Sequence, residues 1–235
     1  CEARIIWGLS QPADSTSVTW QERTGPMRPF FKPVSLDPRI ARAMVNLAHP
    51  HTPDGRPALA DPFCGTGGVL IEAALLGVHS YGLDLDEEMV EGTRRNLEWL
   101  GNEQDELAAV TTEVEDALDF TLDEPVPAFA FDPPYGRNSW QSDDGRELLL
   151  GTLARCFENG TDAARLAMLL PWPAEHLNSL RTGHEVDIGT YLTYGTEWSD
   201  MRELITTCGW SVNHAVPIGI HGSLSRLLVV CTRSV

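Results

Sequence analysis

The sequence predicts a doubly wound α/β domain built on a mostly parallel sheet. Three observations carry that expectation. Strand-like and helix-like segments alternate along most of the chain. A glycine-rich turn, "DPFCGTGG" at residues 61–68, joins a short apolar strand to an apolar helix. Asp61, Asp84, Asp116 and Asp132 fall at or just past the ends of successive predicted strands. In such sheets ligands collect at the carboxyl ends of the strands, near the point where strand order reverses, so four carboxylates on that rim read as a site.

The elements follow in order. Residues 1–27 hold a short apolar run, "IIWGL", and a polar turn, which read as a leading strand and linker. In "RPFFKPVSLDPRIARAMVNLA", Asp37 is placed to cap a helix whose first turn contains Pro38, with Ile40, Ala43, Met44 and Leu47 at helical spacing. "ALADPFCGTGGVLIEAALLG" gives a strand, the glycine turn and a helix stopped by Gly77. "HSYGLDLD" is the next strand. "DEEMVEGTRRNLEWLG" is a helix with acidic residues in its first turn and Gly101 expected just beyond its end. Strands follow near residues 110–114 and at "AFAFD", then a helix over about 146–157 and the strand "RLAMLLP". Residues 173–198 suggest a short helix and an insertion. Met201, Leu204, Ile205 and Cys208 mark a last helix closed by Gly209, and "WSVNHAVPIG" and "RLLVVCT" are two final strands. No internal repeat or low-complexity segment breaks the pattern.

Size and composition bound the function. The 235 residues suffice for one large α/β domain. No run is apolar and long enough to span a bilayer, and none resembles a targeting signal, so no membrane partner is expected. The chain opens on Cys1 rather than Met, as expected of a piece of a longer polypeptide. Cys1, Cys64, Cys156, Cys208 and Cys231 form no CxxC pair, which argues against a zinc site or a disulfide framework and fits a reducing cytoplasm. The formal charge is −17, and Lys32 is the only lysine. Such a surface is expected of adaptation to high salt, and it opposes general electrostatic binding of nucleic acid.

Two motifs carry chemistry. In residues 61–68 the glycines let backbone approach a ligand closely. Asp84, at the end of the next strand, has the spacing of a carboxylate that grips a ribose diol. The turn lacks the GxxxxGK[ST] pattern, so it reads as a site for a nucleoside cofactor without a polyphosphate. Asp116 can accept from an adenine amino group or simply cap a helix. The second motif, "DPPYG" at residues 132–136, ends a buried strand with acceptors and a ring. Pro133 and Pro134 offer carbonyls but no N–H, and Tyr135 offers a stacking face. A planar amino group on a base needs that combination: its two N–H bonds meet oxygens while its ring stacks. A strand-ending turn with a satisfied aspartate is the plainer alternative.

Together these motifs resemble the S-adenosylmethionine-dependent amino-methyltransferases. With "RPFFKPVSLDPRIARAMVNLA" and "HGSLSR" near the end, the chain resembles the archaeal and eukaryotic tRNA guanine-N2 methyltransferases that act at tRNA position 10. The resemblance covers residues 28–235 and implies a class I methyltransferase fold, a seven-stranded sheet with a C-terminal antiparallel strand. It implies S-adenosylmethionine as cofactor and methylation, once or twice, of an exocyclic guanine N2. Asp61, Phe63, Gly65 and Gly67 would face the methionine part, Asp84 the ribose and Asp116 the adenine, with Ser35 and Leu36 closing over the cofactor. Asp132, Pro133 and Tyr135 would grip and stack the base, with Pro134, Gly136, Arg137, His221 and Arg226 on the substrate side. Partners implied are tRNA, an RNA-binding THUMP domain upstream, which residues 1–27 cannot supply, and a small zinc-binding activator protein. The DPPY motif alone leaves ribosomal RNA guanine, DNA adenine and protein glutamine open as acceptors, and a catalytically silent binding module is the alternative of a different class.

Overall fold

The computed structural model describes residues 18–33, 35–50, 58–104, 106–134, 143–173, 188–221 and 224–234. A seven-stranded sheet forms the centre. Its strands are β1 (Leu59–Asp61), β2 (Ser80–Asp84), β3 (Val110–Val114), β4 (Val126–Phe131), β5 (Gly160–Trp172), β8 (Trp210–His221) and β9 (Leu224–Arg233), in the spatial order β3-β2-β1-β4-β5-β9-β8. β1 pairs in parallel with both β2 and β4, and β4 with β5. β9 inserts antiparallel between β5 and β8, with Leu170 opposite Leu227 and Ala215 opposite Val229. This is the expected doubly wound sheet with its antiparallel strand near the C-terminus. Strand order reverses between β1 and β4, which opens the crevice where ligands settle in such sheets.

Five helices flank the sheet among the described residues: α1 (Pro38–Ala48), α2 (Gly68–Leu75), α3 (Glu87–Glu103), α4 (Asp143–Glu158) and α5 (Trp198–Thr207). Two core layers follow from the period-two pattern of the central strands. In β4, Ala128 and Ala130 face a layer with Met44, Val45, Leu59 and Val69. Phe129 and Phe131 face the other way, among Leu153, Trp198, Ile205 and Trp210. The alternation of small and large side chains makes one face shallow for α1 and α2 and the other deep for α4 and α5.

Local chemistry starts and stops the helices where the sequence indicates. Asp37 accepts a hydrogen bond from the Arg39 N–H at 2.8 Å, and Pro38 occupies the first turn of α1. Gly209 leaves α5 at φ +88°, in the left-handed region. One expectation is corrected. Gly101 does not lie beyond α3 but inside its last turn; Leu100 is fully buried and Leu107 packs over Gly101, so tertiary packing carries the helix past the glycine. The expected leading strand, "IIWGL", lies outside the described residues, and residues 18–27 after it form turns and a short 3-10 helix, Gly25–Met27. Within 173–198, residues 174–187 also lie outside the described ones. The rest of that segment holds the 3-10 turn Ile188–Thr190 and a small hairpin of β6 (Leu192–Thr193) and β7 (Thr196–Glu197).

Candidate active site

The turn after β1 is shaped by its glycines and by the next strand. Gly65 and Gly67 have φ +53° and +80°, which a side chain would strain. The Gly65 N–H donates to Asp84 Oδ2 at 2.9 Å, and its carbonyl accepts from Thr93 Oγ1 at 2.8 Å. The other Asp84 oxygen accepts from the Asp86 N–H at 3.0 Å. The Phe63 N–H donates to Asp61 Oδ1 at 3.0 Å. The segment before α1 folds over this turn. Ser35 Oγ and Thr66 Oγ1 lie 2.9 Å apart. Asn96, fully buried on α3, donates to the carbonyls of Phe30 at 3.0 Å and Thr66 at 2.9 Å and accepts from the Phe30 N–H at 2.9 Å.

Between these pieces lies a cavity of about 730 Å³, the size of a nucleoside-ligand site. The glycine turn, Ser35, Leu36 and the Asp132-Pro133-Pro134 turn all line it, so the two motifs face one space. Phe63 and Phe131 pack beneath them with ring centroids 5.7 Å apart. Five carboxylates line the cavity, Asp61, Asp84, Asp86, Asp116 and Asp132; among the described lining residues Arg226 on β9 is the one cation.

Crowding acids in a half-closed space moves their protons. Burial raises Asp61 well above the ordinary carboxylate range; the Phe63 N–H opposes this, and the charges of Asp84 and Asp132 reinforce it. Burial also raises Asp84, opposed by the N–H groups of Asp86 and Gly65. Cys64 beside them is pushed up by burial and then by the same two acids, which leaves it an inert thiol. The site favours a ligand that brings positive charge.

Residues 26–180 match the family model for UPF0020, the RMKL-like methyltransferase domain. The chain belongs to this family. It is 40% identical over 177 residues to the tRNA (guanine(10)-N2)-dimethyltransferase of Pyrococcus abyssi, which covers 70% of this chain and 51% of that protein. It is 50% identical over 109 residues to the enzyme of the same name from Methanothermobacter thermautotrophicus, covering 46% of this chain and 30% of that protein. The chain thus spans about half or less of the length of these relatives. Two solved methyltransferases share the fold: TrmN from Thermus thermophilus (TM-score 0.57, 22% identity, 86% of this chain and 50% of that one) and magnesium protoporphyrin IX methyltransferase from Synechocystis with bound SAM (0.56, 17%, 84% and 79%).

Within this methyltransferase domain, Ser35, Leu36, Asp61, Phe63, Gly65, Asp84, Asp116, Asp132, Pro133, Pro134 and Arg226 all border the cavity. Gly67 does not. It serves as the left-handed N-cap of α2, donating its N–H to the Cys64 carbonyl at 2.8 Å. Asp116 lines the cavity and accepts from the Leu118 N–H at 2.9 Å; a turn rather than a helix follows it, so it is not the helix cap that was its alternative reading. Tyr135, Gly136 and Arg137 lie outside the described residues, as does the side chain of His221. Sequence reasoning missed Asn96, Thr66, Leu85 and Met89. Leu85 and Met89 border the cavity, Leu85 being 71% exposed. The only signal for Leu85 was an apolar residue set between Asp84 and Asp86.

Proposed function

We propose that this chain is the catalytic part of an S-adenosylmethionine-dependent tRNA (guanine-N2-)-methyltransferase that acts at position 10. The observation that supports the reading is the shared acidic cavity, which the glycine turn and the Asp132-Pro133-Pro134 turn both line. The residues present fit the cofactor. The turn at 61–66 offers close backbone approach, Asp84 sits at the end of β2 where a ribose diol is held, and the excess of carboxylates suits a sulfonium and an ammonium group. S-adenosylmethionine, when bound, supplies an electrophilic methyl group. The chain's own part is to present the nucleophile. Guanine N2 is a weak one because its lone pair is delocalised into the ring. Asp132 and the Pro133 carbonyl accept from its two N–H bonds and favour the pyramidal nitrogen of the transition state. Tyr135, next in sequence, supplies the stacking face, which offsets part of the cost of about a few kcal/mol for taking the base out of its helix.

The same proposal includes a THUMP domain upstream and a small zinc-binding activator protein as partners, a cytoplasmic location, and a high-salt setting that reconciles the charge of −17 with an RNA substrate. No described helix is long and apolar enough to cross a membrane. In multimolar KCl the unfolding midpoint should rise above its low-salt value; a flat response removes the halophilic part of the reading. The function itself is tested by incubating unmodified tRNA with the protein and labelled S-adenosylmethionine, followed by nucleoside mass spectrometry, with the longer polypeptide in parallel. N2-methyl- or N2,N2-dimethylguanosine is expected. Label found only in ribosomal RNA, in DNA adenine or in a protein glutamine would move the activity to that acceptor.

A further inference from the structure

The acceptor turn cannot by itself choose a base. Guanine N2 and adenine N6 each present two N–H donors, and Asp132 with the Pro133 carbonyl would suit either. The two purines differ along the rest of the Watson–Crick edge. Guanine adds an N1–H donor and the O6 acceptor, whereas adenine has a bare N1 and no carbonyl. A site that selects guanine needs acceptors at one end and a donor at the other.

The sheet places a donor there. β9 runs antiparallel to β5, so its first residues lie at the rim where the parallel strands end. Arg226, the third residue of β9, pairs across the sheet with Pro171 of β5 and Ile218 of β8. Strand alternation fixes its face. Leu228, two residues on, packs with Ala128 and Ala130. Arg226 shares that face by the period of two, and so does Asp132, two residues past Ala130. Both border the cavity. Their charges also meet at one neighbour, the buried phenol of Tyr194. Burial raises its pKa, the Asp132 charge adds to the rise and the Arg226 charge opposes it. The base of the arginine is held firmly. Ser225 is fully buried and its Oγ donates to the Trp172 carbonyl at 2.8 Å, while Arg226 Nη1 donates to the Ser225 carbonyl at 3.1 Å.

We propose that Arg226 determines base specificity: its guanidinium donates to guanine O6 while Asp132 and the Pro133 carbonyl hold N2, an inference that rests on the guanine-N2 reading. Acceptors on β4 and a donor on β9 then match the two ends of one base edge. An adenine held by N6 brings no oxygen to the guanidinium, which leaves a charged donor without its acceptor.

Methylation of tRNA transcripts carrying guanine or 2-aminopurine at the target position tests this, with the chain assayed in its longer polypeptide. 2-Aminopurine keeps the exocyclic N2 amine and lacks O6. The kcat/KM preference for guanine should be about 10- to 100-fold larger in wild type than in Arg226→Met, the worth of a charge-assisted contact. Comparing the two proteins cancels any intrinsic difference between the two amines. S-adenosylmethionine affinity of the variant, measured by calorimetry, should stay within a few-fold of wild type. Arg226→Gln, shorter and uncharged, should also lower the preference, and it decides the matter if Arg226→Met does not fold. A preference unchanged in the variants overturns the proposal. So does an equal loss of rate on both transcripts with weaker, less salt-dependent tRNA binding, which would assign the guanidinium to an RNA phosphate and leave the guanine-N2 reading intact. Wild-type protein that methylates neither transcript, or an adenine instead, overturns that reading and the proposal with it.

Discussion

The acidic rim of the cavity and the buried cluster of Arg23, Arg28 and Arg42 around Glu72 are built in opposite ways. The rim collects its carboxylates from the ends of four strands, and the segments that follow those strands supply many of their partners. Asp61 is held by the Phe63 N–H, Asp84 by those of Gly65 and Asp86, and Asp116 by that of Leu118. The cluster gathers guanidiniums from the segment before α1 and from α1 around one glutamate of α2, and leaves Arg28 with two idle nitrogens. Backbone amides are a fixed feature of strand ends, so a rim built on them stands without a ligand. Arg28 has such support only at Nε, which donates to the Arg23 carbonyl at 2.7 Å.

The largest effect should come from the rim. If Asp132 has the role proposed above, Asp132→Ala should lower turnover by about 10²- to 10³-fold, the cost of losing an acceptor for the reacting amine in the transition state. Cofactor affinity measured by calorimetry should move by no more than a few-fold. Retained turnover would take Asp132 out of the chemistry.

Asn96 joins the two regions, since its three hydrogen bonds tie the Phe30 backbone, two residues after Arg28, to the glycine turn. Asn96→Ala should cost about 2–3 kcal/mol in denaturant unfolding, as three buried polar groups lose partners. Asp84→Ala should then weaken cofactor binding about 10- to 100-fold while leaving single-turnover chemistry at saturation nearly unchanged. Unchanged affinity would refute the ribose assignment and with it the placement of the ligand's nucleoside end.

The two regions were not equally legible from the sequence. Asp61, Asp84 and Asp132 could be read because a strand end is signalled locally, by an apolar run that stops at a carboxylate, and because sheet topology then brings such ends together. Asp37 and Pro38 were legible for the same local reason. Arg28 and Asn96 were not. Their roles depend on residues 44 and 66 positions away, Glu72 for the first and Phe30 for the second, and no periodicity links such partners. Gly101 failed for a related reason: a local stop signal lost to the burial of Leu100. Gly67 was correctly assigned to the turn, but its carbonyl and φ serve the helix start rather than the cavity wall.

The smallest effect, and the most direct measure of how the rim differs from the cluster, concerns Asp61. Its folded-state pKa is raised by burial and by its acidic neighbours. A raised carboxylate binds its proton more tightly folded than unfolded, so it favours the fold at pH values below its unfolded pKa. That contribution fades as pH climbs through the folded value. Asp61→Asn keeps an oxygen for the Phe63 N–H but carries no charge. The ligand-free variant should therefore melt above wild type at neutral pH, and the gap should close as pH falls toward the ordinary carboxylate range. Cofactor binding should respond the other way, since the variant removes a negative charge facing a cationic ligand. A rim carboxylate would then trade stability for affinity through its charge. A melting gap that is flat across this pH range would mean that Asp61 is not under the strain its burial implies.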